Sequence, residues 1–78
     1  MSLYNQQELD AQIHAAASPI EQVDIINEWA YSLRLSNPTL TGELAQRARE
    51  MANRHQYTSG VARAWRNIGI CNATLGNI

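Results

Sequence analysis

The sequence predicts an all-α fold of four helices, and three observations lead to this prediction. Apolar residues recur at spacings of three and four, which is the period of a helix with one buried face. Three short polar segments, at residues 17–19, 36–38 and 57–60, interrupt the apolar pattern. No segment alternates apolar and polar residues beside a hairpin turn, as a half-buried strand does. Connectors of about 2–4 residues favour antiparallel helical hairpins.

The first two helices differ in how clearly the sequence marks their starts. The first, over residues 4–16, depends on a short apolar stripe formed by Leu9, Ile13 and Ala16. The second, over residues 19–35, begins where Ser18 can accept a hydrogen bond from an early backbone N–H and Pro19 suits the first helical position. Glu21 completes a capping box. Its apolar stripe is longer and consists of Ile20, Val23, Ile26, Trp29, Ala30 and Leu33.

The third and fourth helices follow the two remaining polar segments. Asn37 can cap the third helix, predicted over residues 38–55. Its stripe consists of Leu40, Leu44, Ala48, Met51 and Ala52. The fourth, over residues 59–75, has Thr58 or Ser59 as its cap and a stripe formed by Val61, Trp65, Ile68, Gly69, Asn72 and Leu75. We expect four of these stripe residues in the packed interior: Trp29, Ala30, Trp65 and Gly69.

The composition excludes several classes of protein. The chain has 78 residues, 45% of them apolar, which is enough for one core but not for two. It has no apolar run long enough to span a membrane, and its first residues lack the pattern of a secretory signal. A single cysteine, Cys71, favours a reducing compartment, so we expect a cytoplasmic protein. The absence of lysine removes Schiff-base chemistry.

Charge is unevenly distributed along the chain. Residues 1–43 carry a net charge of −5 and residues 44–78 a net charge of +4, all of the positive charge being arginine. We interpret this as two halves that pack together so that their charges meet. The alternative is a small helix-turn-helix-type domain that binds nucleic acid through the arginine-rich second half, although such domains usually carry an excess of positive charge.

The second and fourth helices share one pattern, offset by 39 residues. In each helix two large residues three positions apart are followed directly by a small residue and, three positions later, by a fourth residue on the same face. The two copies are Ile26-x2-Trp29-Ala30-x2-Leu33 and Trp65-x2-Ile68-Gly69-x2-Asn72. The small residue lets a partner helix approach closely. This pattern resembles the first helix of a tetratricopeptide (TPR) repeat, Trp-x2-Leu-Gly-x2-Tyr. The third helix resembles the second TPR helix at its small residues, Thr41, Ala45 and Ala48.

The resemblance implies a TPR-like α-solenoid fragment of about one and a half repeats. Residues 1–17 would form a leading helix, residues 19–57 the first repeat and residues 58–78 the first helix of a second repeat. The offset exceeds the usual ~34 residues, as in the longer TPR repeats of signalling and adaptor proteins. The resemblance therefore implies a protein–protein interaction or scaffold module, part of a larger protein.

The resemblance also implies a groove that binds a partner segment, and the arginines in it lead us to expect an acidic one. Its residues would be Asp24, Asn27, Tyr31, Arg34, Arg63, Arg66, Asn67 and Ile70. In this interpretation Arg63 and Arg66 donate hydrogen bonds to carboxylates of the partner, and Tyr31 is an apolar platform. The alternative pairs Arg63 with Asp24 and Arg66 with Glu28 as ion pairs between helices. Both interpretations stay open.

No set of residues in the sequence supports catalysis, a cofactor or a metal site. His14 and His55 lie in different helices, without a carboxylate or cysteine at ligand spacing. Cys71 is expected to be a small buried apolar residue. We therefore expect a protein that is not an enzyme.

The fourth helix lacks the repeat partner that the resemblance implies. One side of its stripe should therefore face water, and burying apolar surface favours association. We expect a homodimer in which two fourth helices meet about a two-fold axis. The self-association residues would be Ile68, Cys71, Leu75 and Ile78.

Overall fold

The structure, a computed structural model, describes residues 4–76 and has four α-helices there. They are α1 (Gln6–Ala15), α2 (Pro19–Ser32), α3 (Pro38–Arg54) and α4 (Thr58–Leu75). The predicted all-α class is confirmed, and no helix end departs from its predicted position by more than three residues. Within the described residues, no helix is long and apolar enough to cross a membrane.

Side-chain caps define where α2 and α3 begin, as predicted. Ser18 Oγ accepts a hydrogen bond from the backbone N–H of Glu21 at 3.2 Å, and Asn37 Oδ1 accepts one from Leu40 at 3.2 Å. The Glu21 carboxylate accepts a hydrogen bond from the backbone N–H of Ala17. The capping box therefore uses the N–H of the residue before the cap, Ala17, instead of that of Ser18 itself. Each bond satisfies a backbone donor that has no partner within its own helix.

The start of α4 differs from the prediction. Tyr57 occupies the cap position without a side-chain hydrogen bond, and Thr58 and Ser59 lie inside the helix. The turn is instead held by the end of α3, where Gln56 adopts a left-handed backbone with φ 55°. This lets the Tyr57 N–H donate to the carbonyl oxygen of Ala52 at 2.8 Å.

The core lies between α2, α3 and α4 and is closed on one side by α1. Its buried residues are Leu9, Val23, Ile26, Ala30, Leu33, Leu44, Ala45, Ala48, Ala52, Ala64 and Ile68. Most of those from α3 are alanines, so helices on both sides of α3 can lie close to it. The Thr41 hydroxyl is also buried there and donates to the carbonyl oxygen of Ala30 at 2.7 Å.

Pairs of contacting residues show the directions of the helices. Between α2 and α4 the residue numbers rise together, as in Asp24–Arg63 and Tyr31–Arg66. Between α3 and α4 they run in opposite senses, as in Gly42–Cys71 and Arg49–Trp65. The helices α2 and α4 are therefore parallel, α3 is antiparallel to α4, and all three pack against one another.

The face of α4 that packs against the core is not the predicted one. Its buried residues are Gly60, Ala64, Asn67, Ile68 and Cys71. Trp65 is 55% exposed, and a Cβ atom on Gly69 would have no neighbour within 4 Å, so the prediction of both in the interior is wrong. Ala30 is fully buried, as predicted, and Trp29 is partly buried against the core.

Two close backbone contacts explain this rotation of α4. A Cβ atom on Gly60 would lie 2.7 Å from Cγ1 of Val23, a buried residue of α2. A Cβ atom on Gly42 of α3 would lie 2.6 Å from Sγ of Cys71. Because α4 is held at both points, its Trp65 and Gly69 face turns away from the core.

The two glycines of α4 should respond to alanine with opposite signs. Gly60→Ala should destabilise the fold, because overpacking a core contact costs about 1–3 kcal/mol. Gly69→Ala should stabilise it by about 0.5–1 kcal/mol, since alanine is the better helix former and the site is open. Urea unfolding followed by circular dichroism measures both free energies. Destabilisation of similar size in the two variants would contradict this orientation of α4.

Candidate partner-binding site

A surface recess of about 400 Å³ lies between α2 and α4, lined by Asn27, Glu28, Tyr31, Arg63 and Arg66. Residues three and four apart share a helix face, and the parallel course of α2 and α4 brings two such faces together. Four of the five lining residues belong to the set predicted for a groove. The fifth, Glu28, was considered only as an ion-pair partner.

Two buried asparagines connect α2 and α4 beneath the recess. Asn27 Nδ2 donates to the carbonyl oxygen of Gly60 at 3.1 Å, and Asn67 Nδ2 donates to the backbone carbonyl of Asn27 at 3.2 Å. Asn67 is fully buried, so its predicted place on the surface of a groove is wrong. Its buried position reflects the same rotation of α4 that turns Gly69 outward.

Arg63 forms one of the ion pairs that the sequence offered as an alternative to partner binding. Its Nη1 lies 3.2 Å from Oδ1 of Asp24, which also accepts a hydrogen bond from the Tyr57 hydroxyl at 2.7 Å. The two charged side chains are 47% and 33% exposed, so the pair contributes only about 0–1 kcal/mol. Tyr57 was not predicted here, since no local signal reveals a contact across 33 residues.

Two guanidinium groups lie beside the ring of Tyr31. Cζ of Arg34 is 3.9 Å from the ring centre and Cζ of Arg66 is 4.8 Å from it. Arg34 Nη1 also donates to the carbonyl oxygen of Tyr31 at 2.9 Å. Neither guanidinium forms an ion pair with a carboxylate of residues 4–76, so the alternative pairing of Arg66 with Glu28 is absent. The recess therefore carries positive charge that the described chain leaves unpaired.

Ile70, the remaining residue predicted for the groove, does not line the recess. It is half-buried on α4. Arg34 also lies outside the lining but flanks the recess through its contact with Tyr31.

Two of the four residues predicted for self-association are covered within the chain itself. Ile68 and Cys71 are buried, and Gly42 of α3 lies directly against Cys71. The prediction that they face water is therefore wrong. Leu75 is 44% exposed, and Ile78 lies outside the described residues.

The remaining reactive side chains do not form a cluster in the described part of the chain. His14 and His55 are both exposed, and Cys71 is a buried free thiol, as expected. No group of three or more histidine, cysteine or acidic residues there could hold a metal ion.

The fold and the site define a small helical chain with a basic recess between two parallel helices. Comparison with known proteins finds no match: no family model fits the chain, and no curated protein or solved structure is similar to it.

A carboxylate in place of the Asn67 amide should destabilise the fold in a pH-dependent way. In Asn67→Asp the new group faces oxygens of Asn27, and an unpaired buried charge costs roughly 3–5 kcal/mol. Burial raises the pKa of that carboxyl, so the loss should be smallest below about pH 4 and grow as pH rises towards 7.

The exposed Asn72→Asp on the same helix is the matched control, expected within about 0.5 kcal/mol of the parent protein. Unfolding free energies of both variants at several pH values provide the measurement. A pH-independent loss in Asn67→Asp would show that Asn67 is not buried against Asn27.

Proposed function

We propose that this chain is a protein–protein interaction module that binds an acidic segment of a partner in the recess between α2 and α4. The observation that carries the proposal is the pair of guanidinium groups beside Tyr31, which has no carboxylate partner in the described chain. Arginine binds carboxylates through paired hydrogen bonds, and an aromatic ring beside it adds apolar contact. The proposal assigns no catalysis and no cofactor.

The arrangement of α2, α3 and α4 supports a scaffold of the helical-repeat kind. The two helices that share the 39-residue pattern are parallel, and α3 packs against both. The small residues Thr41, Ala45 and Ala48, on which the TPR resemblance of α3 depends, are all buried. We propose such a module as part of a larger cytoplasmic protein.

Binding of nucleic acid by the arginine-rich second half is the less favoured candidate. Arg63 is paired with Asp24, and the Arg49 guanidinium lies 5.1 Å from the centre of the Trp65 ring. The carboxylate of Glu28 also lies in the recess, where it would repel a continuous polyanion. A short acidic segment meets less of this repulsion than a phosphate backbone does.

Charge reversal inside and outside the recess tests the proposal. A fluorescein-labelled glutamate-rich peptide should bind the parent protein, and Arg66→Glu should abolish this binding because it replaces the donor with a like charge. Arg54→Glu on α3 makes the same change of charge outside the recess and should retain most of the affinity. Fluorescence anisotropy measures binding, and circular dichroism checks that both variants stay helical.

Equal losses in the two variants would mean that the peptide responds only to overall charge, and this would contradict a site in the recess. Labelled duplex DNA provides the comparison with the alternative. If DNA binds more tightly than the peptide and loses affinity steeply with salt, the chain is a nucleic-acid binder instead.

We also propose a homodimer through α4, on a face revised from the predicted one. Trp65 and Leu75 are the large apolar residues of α4 that remain exposed. The pattern residues Ile26 and Ala30 of α2 are buried, whereas the corresponding Trp65 and Gly69 of α4 are open. Antiparallel pairing of two α4 helices, crossing midway between Trp65 and Leu75, would place Trp65 of one copy near Leu75 of the other.

Leu75→Glu should weaken this dimer, because it brings a charge into an apolar contact. Sedimentation over a wide range of concentration measures the association. Leu35→Glu is the control because Leu35 is 82% exposed and belongs to the α2–α3 turn, not to α4. A monomer at every concentration, or a dimer that tolerates Leu75→Glu, would refute this interface.

A further inference from the structure

We propose that the group bound between Arg34 and Arg66 is a phosphoryl group carried by a phosphorylated segment of the partner. This inference depends on the function proposed above and names the chemical group that the acidic partner presents. Its basis is that one ring, Tyr31, contacts two guanidinium groups that form no ion pair within the described residues.

The ring of Tyr31 contacts both guanidinium groups. Their Cζ atoms lie 3.9 Å and 4.8 Å from one ring centre, so their separation cannot exceed the sum of these two distances. Like charges at such a separation repel each other, and the attraction of an exposed ring is weak. An anion that contacts both guanidinium groups would turn this repulsion into two attractive contacts.

The available hydrogen-bond donors match a phosphoryl group in number. Arg34 uses one Nη1 donor on the carbonyl oxygen of Tyr31 and retains its others. Arg66 makes no hydrogen bond within the described residues, so its whole guanidinium is available. A phosphate monoester offers three acceptor oxygens and about −1.5 to −2 charges at pH 7, which suits two guanidinium groups. A single carboxylate has two oxygens and one charge, and it would leave one cation uncompensated.

Two further charged side chains, Arg63 and Glu28, line the recess and act on any anion that enters. Arg63 is already paired with Asp24, so it adds little attraction for a weak anion. Glu28 lies in the recess without an ion pair and repels any anion that enters. The two positive charges of Arg34 and Arg66 outweigh the one negative charge of Glu28, so the net attraction grows with the charge of the anion.

Three fluorescein-labelled peptides that differ at one central position test the inference. The position is phosphoserine, glutamate or serine in an otherwise identical glutamate-rich peptide. The phosphoserine peptide should bind about tenfold or more tightly than the glutamate peptide, as expected for charge-assisted hydrogen bonds to a second arginine. Its affinity should also fall as pH drops below about 6, where the phosphate loses its second charge.

Variants separate the roles of the individual residues. Arg34→Gln and Arg66→Gln should each remove the preference for phosphoserine, whereas Arg47→Gln on α3 should keep it. Tyr31 is a positioning residue: Tyr31→Leu should lose the preference, and Tyr31→Phe should keep it because the ring remains. Circular dichroism shows whether each variant is folded.

The outcomes distinguish this inference from the proposed function. Equal affinity for the phosphoserine and glutamate peptides would overturn the inference but leave the binding of acidic segments intact. No binding of any peptide would overturn both. Displacement of the phosphoserine peptide by inorganic phosphate alone at similar concentration, or by duplex DNA through Arg34 and Arg66, would overturn a protein-borne phosphoryl group as the ligand.

Discussion

The hydrogen-bonded contact between α2 and α4 is the constraint on which both the fold and the site depend. At Gly60 the backbone of α4 lies close enough to α2 for the Asn27 amide to donate to its carbonyl oxygen, and Asn67 donates back to Asn27. Both asparagines are buried, so a shift of α4 along α2 would leave polar groups without partners. The same register places Arg66 beside Tyr31, and the recess is a consequence of it.

The uneven charge of the sequence is only partly neutralised by folding. The acidic first half and the basic second half meet at Asp24 and Arg63, as the interpretation of two halves that pack together requires. Farther along the two helices, Arg34 and Arg66 meet a tyrosine instead of a carboxylate. Two arginines that form no ion pair within the described residues, one from each half of the chain, therefore lie together beside the recess, although the net charge of the whole chain is −1. A local excess of this kind selects a small anionic group better than an extended polyanion.

The same pattern of residues has different surroundings in α2 and α4. In α2 it packs against α3, and Thr41 comes close enough to bond the carbonyl oxygen of Ala30. In α4 only Ile68 of this pattern reaches the core, whereas Trp65 is 55% exposed beneath the Arg49 side chain and Gly69 has open space beside it. A pattern of large and small residues shows which face of a helix can accept a close neighbour. It does not show whether that neighbour is present.

Sequence by itself determined the class of fold, the number of helices and their approximate ends, because caps, prolines and apolar spacing act over a few residues. The groove that the TPR resemblance implies includes four of the five residues that line the recess, and helical periodicity is consistent with their shared faces. Only the tertiary structure decided the rotation of α4, the burial of Asn67 and the pairing of Asp24 with Tyr57 and Arg63. These contacts join residues 33 to 40 positions apart in the sequence. Local spacing permits several faces of α4 to pack against the core, and close packing at glycine and alanine decides which face does so.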